Sequence, residues 1–392
     1  MAKHLPHGTH TPVLIIGAGP AGLTLSHLLH QAGVDSIVVE RRSRADVEST
    51  IRAGILEPAT LELMRRTGVG ERVDAEGIPE RGIEISVNNQ RTRIDLEGLT
   101  GKTAAIYPQH EYVKDFIARR LADGGTLLFE HTVTAVEGEV VSVETSSGEH
   151  LSIRADHVVA ADGSASPWRA QVAGLRARHE YPYAWFGLMV EAPPTHRELI
   201  YATHPEGFAL ISKRSDTLQR YYLQCSPEDS PEDWSEDRIW EQLHRRADSE
   251  GITVSEGRIT ERAVLRFRSA VTEPMQRGNL YLAGDAAHTV PPTGAKGLNL
   301  AVADVQVLAP GLVRAVQTGE RDLLDKYTEL ALPHVWRAQQ FSWWMSSLLH
   351  AAEGESPFSA RRRVAQLHSV LESEAGRRFL AEQYVGTRAQ EV

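Results

Sequence analysis

The sequence predicts an α/β fold with an inserted antiparallel sheet and a helical C-terminal part, and three stretches of the chain support this. Residues 13–16 form a short apolar run that ends at a glycine, which is typical of a buried parallel strand. Residues 183–225 contain successive strand-like runs separated by short Pro, Gly or Asp turns, which indicates an antiparallel sheet. Residues 297–384 are mostly helical in pattern.

The first stretch opens a βαβ unit built around glycines. Gly17, Gly19 and Gly22 fit the pattern G-x-G-x-x-G between the first strand and a helix. Such glycines permit a tight turn, let the backbone approach a pyrophosphate and let helix and strand pack closely. Glu40 ends the second strand, where its carboxylate can accept from ribose hydroxyls. A glycine turn without a ligand is the plain alternative, but strand, helix and acid together favour a Rossmann-like dinucleotide-binding domain.

Two later segments extend this domain. Asp162 begins the pattern D-G-x-x-S-x-x-R, and a Gly-Asp pair that ends at Asp285 follows a second short apolar run. The pair can present its carboxylate to a sugar hydroxyl. A helix then begins near Gly297, Leu298 and Asn299, and its free N-terminal amides would favour an anionic ligand.

We therefore expect a nucleotide-binding domain assembled from separated segments. Residues 1–180 would form its main part, residues 181–270 a β-rich substrate-binding domain, and residues 271–392 its completion together with the helical C-terminal part.

Composition limits the classes of function. The net charge of −10 gives no electrostatic support for a nucleic-acid partner. Cys225 is the only cysteine, so no intrachain disulfide can form, which fits a reducing compartment. Without a signal-peptide core or a run of about eighteen apolar residues, we expect a cytoplasmic protein with no membrane partner. No metal site is expected, and whether the chain forms a homodimer stays open.

The order of the three nucleotide motifs resembles that of the group A flavoprotein monooxygenases. Over nearly the whole chain the resemblance is strongest to the branch that hydroxylates 4-hydroxybenzoate, as in residues 51–54, 198–202, 205–210 and 341–345. It implies a GR2-type FAD-binding domain, FAD as cofactor, NADH or NADPH as reductant, and O2 as oxidant. It also implies hydroxylation of 4-hydroxybenzoate at the 3-position to give 3,4-dihydroxybenzoate (protocatechuate).

The resemblance also implies roles for individual residues of the substrate site. Tyr201 would bond the 4-hydroxyl of the substrate and Tyr384 would bond Tyr201, so that a relay removes the phenolic proton. Pro292 would offer its backbone carbonyl to the same hydroxyl. The substrate carboxylate would be held by Arg214, Ser212 and Tyr222. The walls and the ring neighbours would be Trp185, Leu199, Leu210, Thr293 and Ala295.

For the cofactor, the resemblance implies contacts from the residues of the three motifs and from three further side chains. Arg220 would face the reactive edge of the flavin. The remaining FAD contacts would be Gly17, Gly19, Gly22, Glu40, Arg52, Gln109, Asp162, Asp285, Gly297, Leu298 and Asn299. Without the resemblance, arginines and tyrosines in a β-rich segment would be read as strand-edge and half-buried sheet residues.

Three departures from the family pattern bear on function. Glu80 aligns where the family usually has a histidine at the outer end of the proton relay, and Thr50 replaces an arginine associated with the nicotinamide coenzyme. Residues 41–48 govern coenzyme choice in relatives. Their arginines would attract a 2′-phosphate, whereas Asp46 and Glu48 would repel one. Our hypothesis is that NADH is accepted.

Two other functions remain open on the sequence. One is a related hydroxylase of an amino- or hydroxy-substituted benzoate. The other is a non-catalytic FAD-binding sensor of an aromatic acid, for which an arginine clamp would suffice without Tyr201 and Tyr384. A flavin halogenase is disfavoured because no W-x-W-x-I-P stretch with its lysine is found.

Overall fold

The computed structural model describes residues 6–50, 54–172 and 174–386. The strands are β1 Thr9–Ile16, β2 Ser36–Val39, β3 Ile55–Leu56, β4 Ile78–Glu80, β5 Gly82–Val87, β6 Gln90–Asp95, β7 Ala104–Ile106, β8 Thr126–Leu128, β9 His131–Glu137, β10 Val140–Thr145, β11 His150–Ala160, β12 Leu175–Glu180, β13 Ala184–Glu191, β14 Leu199–His204, β15 Gly207–Lys213, β16 Leu218–Cys225, β17 Arg258–Leu265, β18 Arg268–Glu273, β19 Gln276–Arg277, β20 Leu280–Leu282 and β21 His288–Thr289.

The helices are α1 Pro20–Gln31, α2 Arg44–Ser49, α3 Pro58–Arg66, α4 Glu71–Glu76, α5 Leu96–Thr100, α6 Gln109–Ala122, α7 Arg169–Val172, α8 Glu236–Ala247, α9 Gly297–Thr318, α10 Asp322–Asp325, α11 Tyr327–Leu349, α12 Pro357–Glu372 and α13 Glu374–Val385. Short 3-10 turns span Pro231–Asp233, Gly284–Ala286 and Pro292–Gly294.

A parallel sheet carries the nucleotide motifs. Its strand order is β20-β11-β1-β2-β8, all parallel, with β19 pairing antiparallel to β20 and the β9–β10 ribbon attached to β11. Helix α1 packs against α6 and α9 beside this sheet. The carboxyl ends of β1, β11 and β20 lie side by side, so the loops that follow them meet at one edge.

A second sheet has the order β17-β13-β16-β15-β14-β5-β6. Its pairs are antiparallel except β14 with β5, which are parallel. One face packs against α8 in an apolar core, and the other packs against α11, α12 and α13 in a separate core. The α/β fold class with an inserted, largely antiparallel sheet and a helical C-terminal part is confirmed.

The second sheet includes strands from two of the three predicted domain segments. Strands β5 and β6 lie within residues 1–180 but belong to the same sheet as the strands of residues 181–270. The boundaries 1–180, 181–270 and 271–392 stay a prediction.

Helix α9 is long and apolar enough, by length and composition, to cross a membrane. In this fold most of it is buried between α1, α11 and the parallel sheet, which explains its apolar composition.

Candidate active site

The glycine loop after β1 has no room for a side chain at Gly17 or Gly22. Gly17 has φ +106°, and a Cβ there would lie 2.5 Å from the carbonyl oxygen of Ala161. A Cβ on Gly22 would lie 2.1 Å from the carbonyl oxygen of Gly17. Helix α1 then begins at Pro20 with no side chain capping its first amides. These amides and the helix dipole are therefore available to a phosphate group.

Glu40 ties this loop to the end of β2. Its Oε2 accepts from the backbone amide of Ala18 at 2.9 Å, and its Oε1 accepts from the backbone and Nε of Arg42, both at 3.0 Å. The carboxylate is buried. Glu40 thus already holds the loop in shape, and its remaining lone pairs are what a ribose could use.

The D-G and Gly-Asp motifs meet through an arginine. Arg169 Nε donates to the carbonyl of Ala286 at 2.7 Å, and its Nη2 donates to the carbonyls of Gly163 and Asp285 at 3.2 and 3.3 Å. Asp162 Oδ1 is buried and accepts no hydrogen bond from the described part of the chain. Burial raises the pKa of Asp162. An orphaned buried acceptor beside a glycine at φ +88° with open space over it is a good place for a ligand hydroxyl.

The start of α9 is fixed by Asn299. Its Oδ1 accepts from Glu57 N and Thr60 Oγ1, both at 2.9 Å, and its Nδ2 donates to the carbonyls of Ile55 and Ala295 at 2.8 and 3.2 Å. The hydrogen-bonding groups of the Asn299 side chain are therefore already used within the protein. Any cofactor contact at this helix end falls to the backbone, including that of Gly297 and Leu298.

These features fit a dinucleotide cofactor such as FAD. The uncapped first turn of α1 can hold the pyrophosphate, and Asp162 can hold a hydroxyl of the cofactor. Of the other predicted contacts, Asp285 is half-buried beside Arg169, and Gln109 begins α6. Arg52 lies outside the described residues.

The second sheet brings the predicted substrate residues together. Tyr201 on β14 is paired with Leu210 on β15, and Leu210 is paired with Tyr222 on β16. Because side chains alternate along a strand, residues two apart share a face. The face of this sheet that is turned to α11 and α13 therefore carries Trp185, Leu199, Tyr201, Leu210, Ser212, Arg220 and Tyr222.

The two tyrosines of the expected relay are in contact. The hydroxyls of Tyr201 and Tyr384 lie 3.3 Å apart, and Tyr201 also donates to the carbonyl of Thr293 at 3.1 Å. Burial is the main cause that raises the pKa of each phenol. The carbonyl of Pro292 accepts the amide of Ala295 at 2.9 Å, and Ala295 has φ +53°. A substrate hydroxyl would thus share the Pro292 carbonyl with this turn.

A cationic region lies on the same side of the sheet. Arg220 Nε donates to the hydroxyl of Tyr222 at 3.1 Å, and its guanidinium lies over that ring at 5.2 Å. Arg214 follows β15, and its guanidinium has no carboxylate within ion-pair distance among the described residues. Burial lowers the pKa of Arg214, and the nearby Arg220 lowers it further. A partly buried guanidinium without a carboxylate partner favours an anionic ligand.

Glu80, the residue that departs from the family pattern, ends β4 beside the tyrosines. It is 1% exposed, and within the described part of the chain its Oε1 accepts one long hydrogen bond, from the Leu199 amide at 3.4 Å. Burial raises the pKa of Glu80 to about 8. Its charge contributes to raising the pKa of both Tyr201 and Tyr384, so all three groups are near one another.

Sequence reasoning missed two buried contacts of the C-terminal helices. Lys296 Nζ donates to Glu57 Oε1 at 2.7 Å and to the carbonyl of Tyr384 at 2.9 Å. The indole of Trp185 donates to His350. Both join residues far apart in the chain, so no local pattern could have indicated them. The buried His288 ring bonds Asp304 Oδ2 at 2.7 Å.

Among the residues that the structure describes, no group of three or more His, Cys, Asp or Glu side chains is arranged to hold a metal ion.

Comparison with known proteins identifies the family of the chain. A family model described as an FAD binding domain matches residues 10–342. The chain belongs to this family: it is an FAD-dependent monooxygenase of the aromatic hydroxylase class, an oxidoreductase that uses FAD with NAD(P)H as co-substrate. The resemblance predicted from the motifs and the predicted cofactor are confirmed.

Individual relatives narrow the class. The chain is 43% identical over 385 residues to p-hydroxybenzoate hydroxylase of Acinetobacter baylyi, which covers 96% of this chain and 95% of that protein. It is 28% identical over 392 residues to 6-methylpretetramide 4-monooxygenase of Streptomyces rimosus, covering 92% and 90%. The structure of p-nitrophenol 4-monooxygenase from Pseudomonas putida superposes with a TM-score of 0.82 at 20% identity, covering 97% of this chain and 100% of that one. That last likeness shows the fold alone. The sensor alternative gains no support from these hydroxylases.

Proposed function

We propose that the enzyme hydroxylates 4-hydroxybenzoate at the 3-position, giving 3,4-dihydroxybenzoate. The observation that carries the proposal is the distribution of polar groups on the face of the second sheet that is turned to α11 and α13: phenol hydroxyls lie at one end and a cation at the other. The phenol pair Tyr201–Tyr384 stands at one end, and Ser212 and Arg214 follow two and four residues beyond Leu210, with apolar walls between. Ser212 thus lies about 7 Å further along the strand than Leu210. A benzene ring with a hydroxyl and a carboxylate at opposite ends spans a comparable length. The name of the Acinetobacter relative supports the same substrate.

The bound and reduced FAD supplies the activation of O2, and the protein makes the ring receptive. Tyr201 stays protonated because burial raises its pKa, so it acts by passing a proton rather than by ionising. Its hydroxyl can accept the 4-hydroxyl proton of the substrate while passing its own proton to Tyr384. Tyr384 would in turn pass its own proton outward to solvent by way of Glu80, the carboxyl near both phenols. Removing that proton makes the ring electron-rich at the adjacent carbon.

The apolar walls exclude water from the reacting atoms. Trp185, Leu199, Leu210 and Tyr201 are each at most 6% exposed. A dry pocket strengthens the attraction of Arg214 for a carboxylate and limits side reactions with water. The arginine also orients the ring, because a guanidinium binds a carboxylate in a planar, bidentate way.

The Arg214 assignment can be tested with a matched pair of ligands. Arg214→Gln should weaken binding of 4-hydroxybenzoate by about 10- to 100-fold, which is the usual value of a charged hydrogen bond. Binding of the uncharged 4-hydroxybenzamide, followed by the change in flavin absorbance, should change little. Equal losses for both ligands would mean that Arg214 does not hold the carboxylate.

For the coenzyme we propose that NADH is accepted, because two of the three arginines in residues 41–48, Arg42 and Arg44, are already paired. Arg44 Nε donates to Glu48 at 2.6 Å, and Arg42 donates to Glu40 and to Thr50. These cations are therefore partly neutralised for a 2′-phosphate. Comparing kcat/KM for NADH and NADPH is the test. A strong preference for NADPH would refute the proposal.

A cytoplasmic location, the three-segment domain division and a homodimer are also proposals. The free, buried Cys225 and the need for NAD(P)H support the location. Cell fractionation and size-exclusion chromatography with light scattering would test the location and the oligomeric state.

A further inference from the structure

A buried histidine contacts the pocket wall from the C-terminal helices. His350 is 3% exposed and follows directly after α11. Its Nε2 accepts a hydrogen bond from the indole N–H of Trp185 at 2.6 Å, and its Nδ1 donates to the carbonyl of Ser346 at 2.9 Å. An indole N–H can only donate and a carbonyl can only accept, so the proton must be on Nδ1.

The imidazole is held in place on its other sides. The Tyr183 ring stacks on it with centroids 4.4 Å apart and an interplanar angle of 4°, and the Phe208 ring lies at 4.3 Å. Burial lowers the pKa of His350 to about 3, so the neutral form persists at physiological pH. The acceptor for the indole is therefore permanent.

The same turn of α11 also holds the loop that borders the phenol relay. Ser346 Oγ and Thr293 Oγ1 are 2.7 Å apart, and the Thr293 carbonyl accepts from Tyr201. Trp185 packs against Tyr222 with ring centroids 4.8 Å apart. The C-terminal end of α11 thus touches both the wall and the relay side of the pocket.

From these contacts we propose that His350 is a positioning residue: it fixes the plane of the Trp185 indole and thereby sets the width of the aromatic-acid pocket. The inference rests on the proposed function. A buried indole N–H without an acceptor carries its full desolvation cost, so removing the acceptor drives the ring toward another orientation. The ring then no longer matches the planar substrate.

Two substitutions separate hydrogen bonding from packing. His350→Phe fills the space and retains stacking on Tyr183 but cannot accept from the indole. His350→Gln keeps an acceptor oxygen. We expect His350→Phe to raise the dissociation constant for 4-hydroxybenzoate about tenfold, with lower coupling of NAD(P)H oxidation to product, and His350→Gln to restore much of the loss. Ser342→Ala is the matched control, because Ser342 is buried on α11 and its hydroxyl has no partner in the described structure.

A double-mutant cycle, in which His350→Phe is combined with Trp185→Phe, shows whether His350 acts through the indole of Trp185. In that background His350→Phe should cost less than about twofold. Equal costs in both backgrounds, or an unchanged dissociation constant and coupling in His350→Phe, would overturn the proposal.

A measurement without turnover tests the contact itself. The protein has seven tryptophans, and Trp185→Phe identifies the indole resonance of Trp185 in protein labelled with ¹⁵N-tryptophan. That proton should resonate downfield and exchange slowly, and His350→Phe should abolish both properties. A resonance that His350→Phe leaves unchanged would overturn the proposal. Failure of the wild-type protein to bind or convert 4-hydroxybenzoate would contradict the proposed function instead, and the resonance would still decide whether His350 holds the indole.

Discussion

At the scale of the residue, the hydroxyls of Tyr201 and Tyr384 lie where ionised forms are disfavoured. Burial raises the pKa of both, and each is at most 2% exposed. Their contact at 3.3 Å allows each phenol to pass its own proton on as it receives another, so that neither has to ionise. The chemistry of the pair therefore depends on the hydrogen bond more than on the acidity of either group.

Tyr384→Phe should leave the ring in the core but interrupt proton transfer from Tyr201. We expect product formation to fall by about 10²–10⁴-fold, the usual contribution of general-base help, while reduction of FAD by NAD(P)H changes little. Stopped-flow absorbance and product chromatography measure the two steps. Tyr327→Phe is the control, because Tyr327 is equally buried and donates to the carbonyl of Leu282 away from the pocket. Undiminished product from Tyr384→Phe would exclude the relay.

Glu80 should make stability depend on pH. Burial raises the pKa of Glu80 to about 8, so between its unfolded value of 4.5 and about pH 8 the folded protein binds more protons than the unfolded one. The free energy of unfolding should therefore fall as pH rises through this window, by at most about 1.4 kcal/mol per pH unit.

Glu80→Gln should remove this contribution. The free energy of unfolding of the variant, compared with that of wild type, should therefore be higher at pH 8.5 than at pH 5.5. Urea unfolding at both values measures it. Glu97→Gln, on an exposed glutamate, controls for the loss of a carboxyl. Parallel pH dependences for Glu80→Gln and wild type would mean that Glu80 ionises normally.

At the scale of the element, local sequence patterns predicted those helices, strands and turns that depend on neighbouring residues alone. The glycines around α1 and the strands β13 to β16 follow from turn chemistry and alternation, and the structure has them. The alternating residues 83–87 are typical of a half-exposed strand, yet every residue of β5 is buried. Ile83, Ile85 and Val87 face the core shared with the C-terminal helices, and Glu84 on the other face pairs with Arg91 at 3.5 Å. The strand is also paired in parallel with β14, whose sequence lies more than 100 residues away. Neither this pairing nor the contact from Lys296 to Glu57, 239 residues apart, leaves a local signal.

The Lys296–Glu57 pair should matter for the docking of α13. Glu57→Gln leaves the buried ammonium of Lys296 with the Tyr384 carbonyl as its remaining hydrogen-bond acceptor among the described residues, and we expect a loss of about 3–5 kcal/mol in the free energy of unfolding. Arg258→Gln breaks an exposed pair with Glu191 at 2.7 Å and should cost less than about 1 kcal/mol. Denaturant titration compares them. Similar losses from the two variants would contradict the structural role assigned to the buried pair.

At the scale of the whole molecule, the site is shared between parts of the fold. In the proposed site, the parallel sheet would supply the phosphate loop and Asp162, the second sheet the substrate face, and the C-terminal helices Tyr384 and His350. The family and the cofactor could be predicted from the sequence, because the nucleotide-binding motifs are local. The substrate residues were implied by the family resemblance alone and stay a prediction. The buried contacts that align the parts depend on tertiary packing.

The most direct test of the account is oxidation of NADH and NADPH by the purified FAD-containing protein, with and without 4-hydroxybenzoate, with the product identified by chromatography. The account predicts that 4-hydroxybenzoate strongly accelerates oxidation and that 3,4-dihydroxybenzoate forms in nearly equal amount. Acceleration that yields only hydrogen peroxide, or no acceleration at all, would contradict 4-hydroxybenzoate as the substrate.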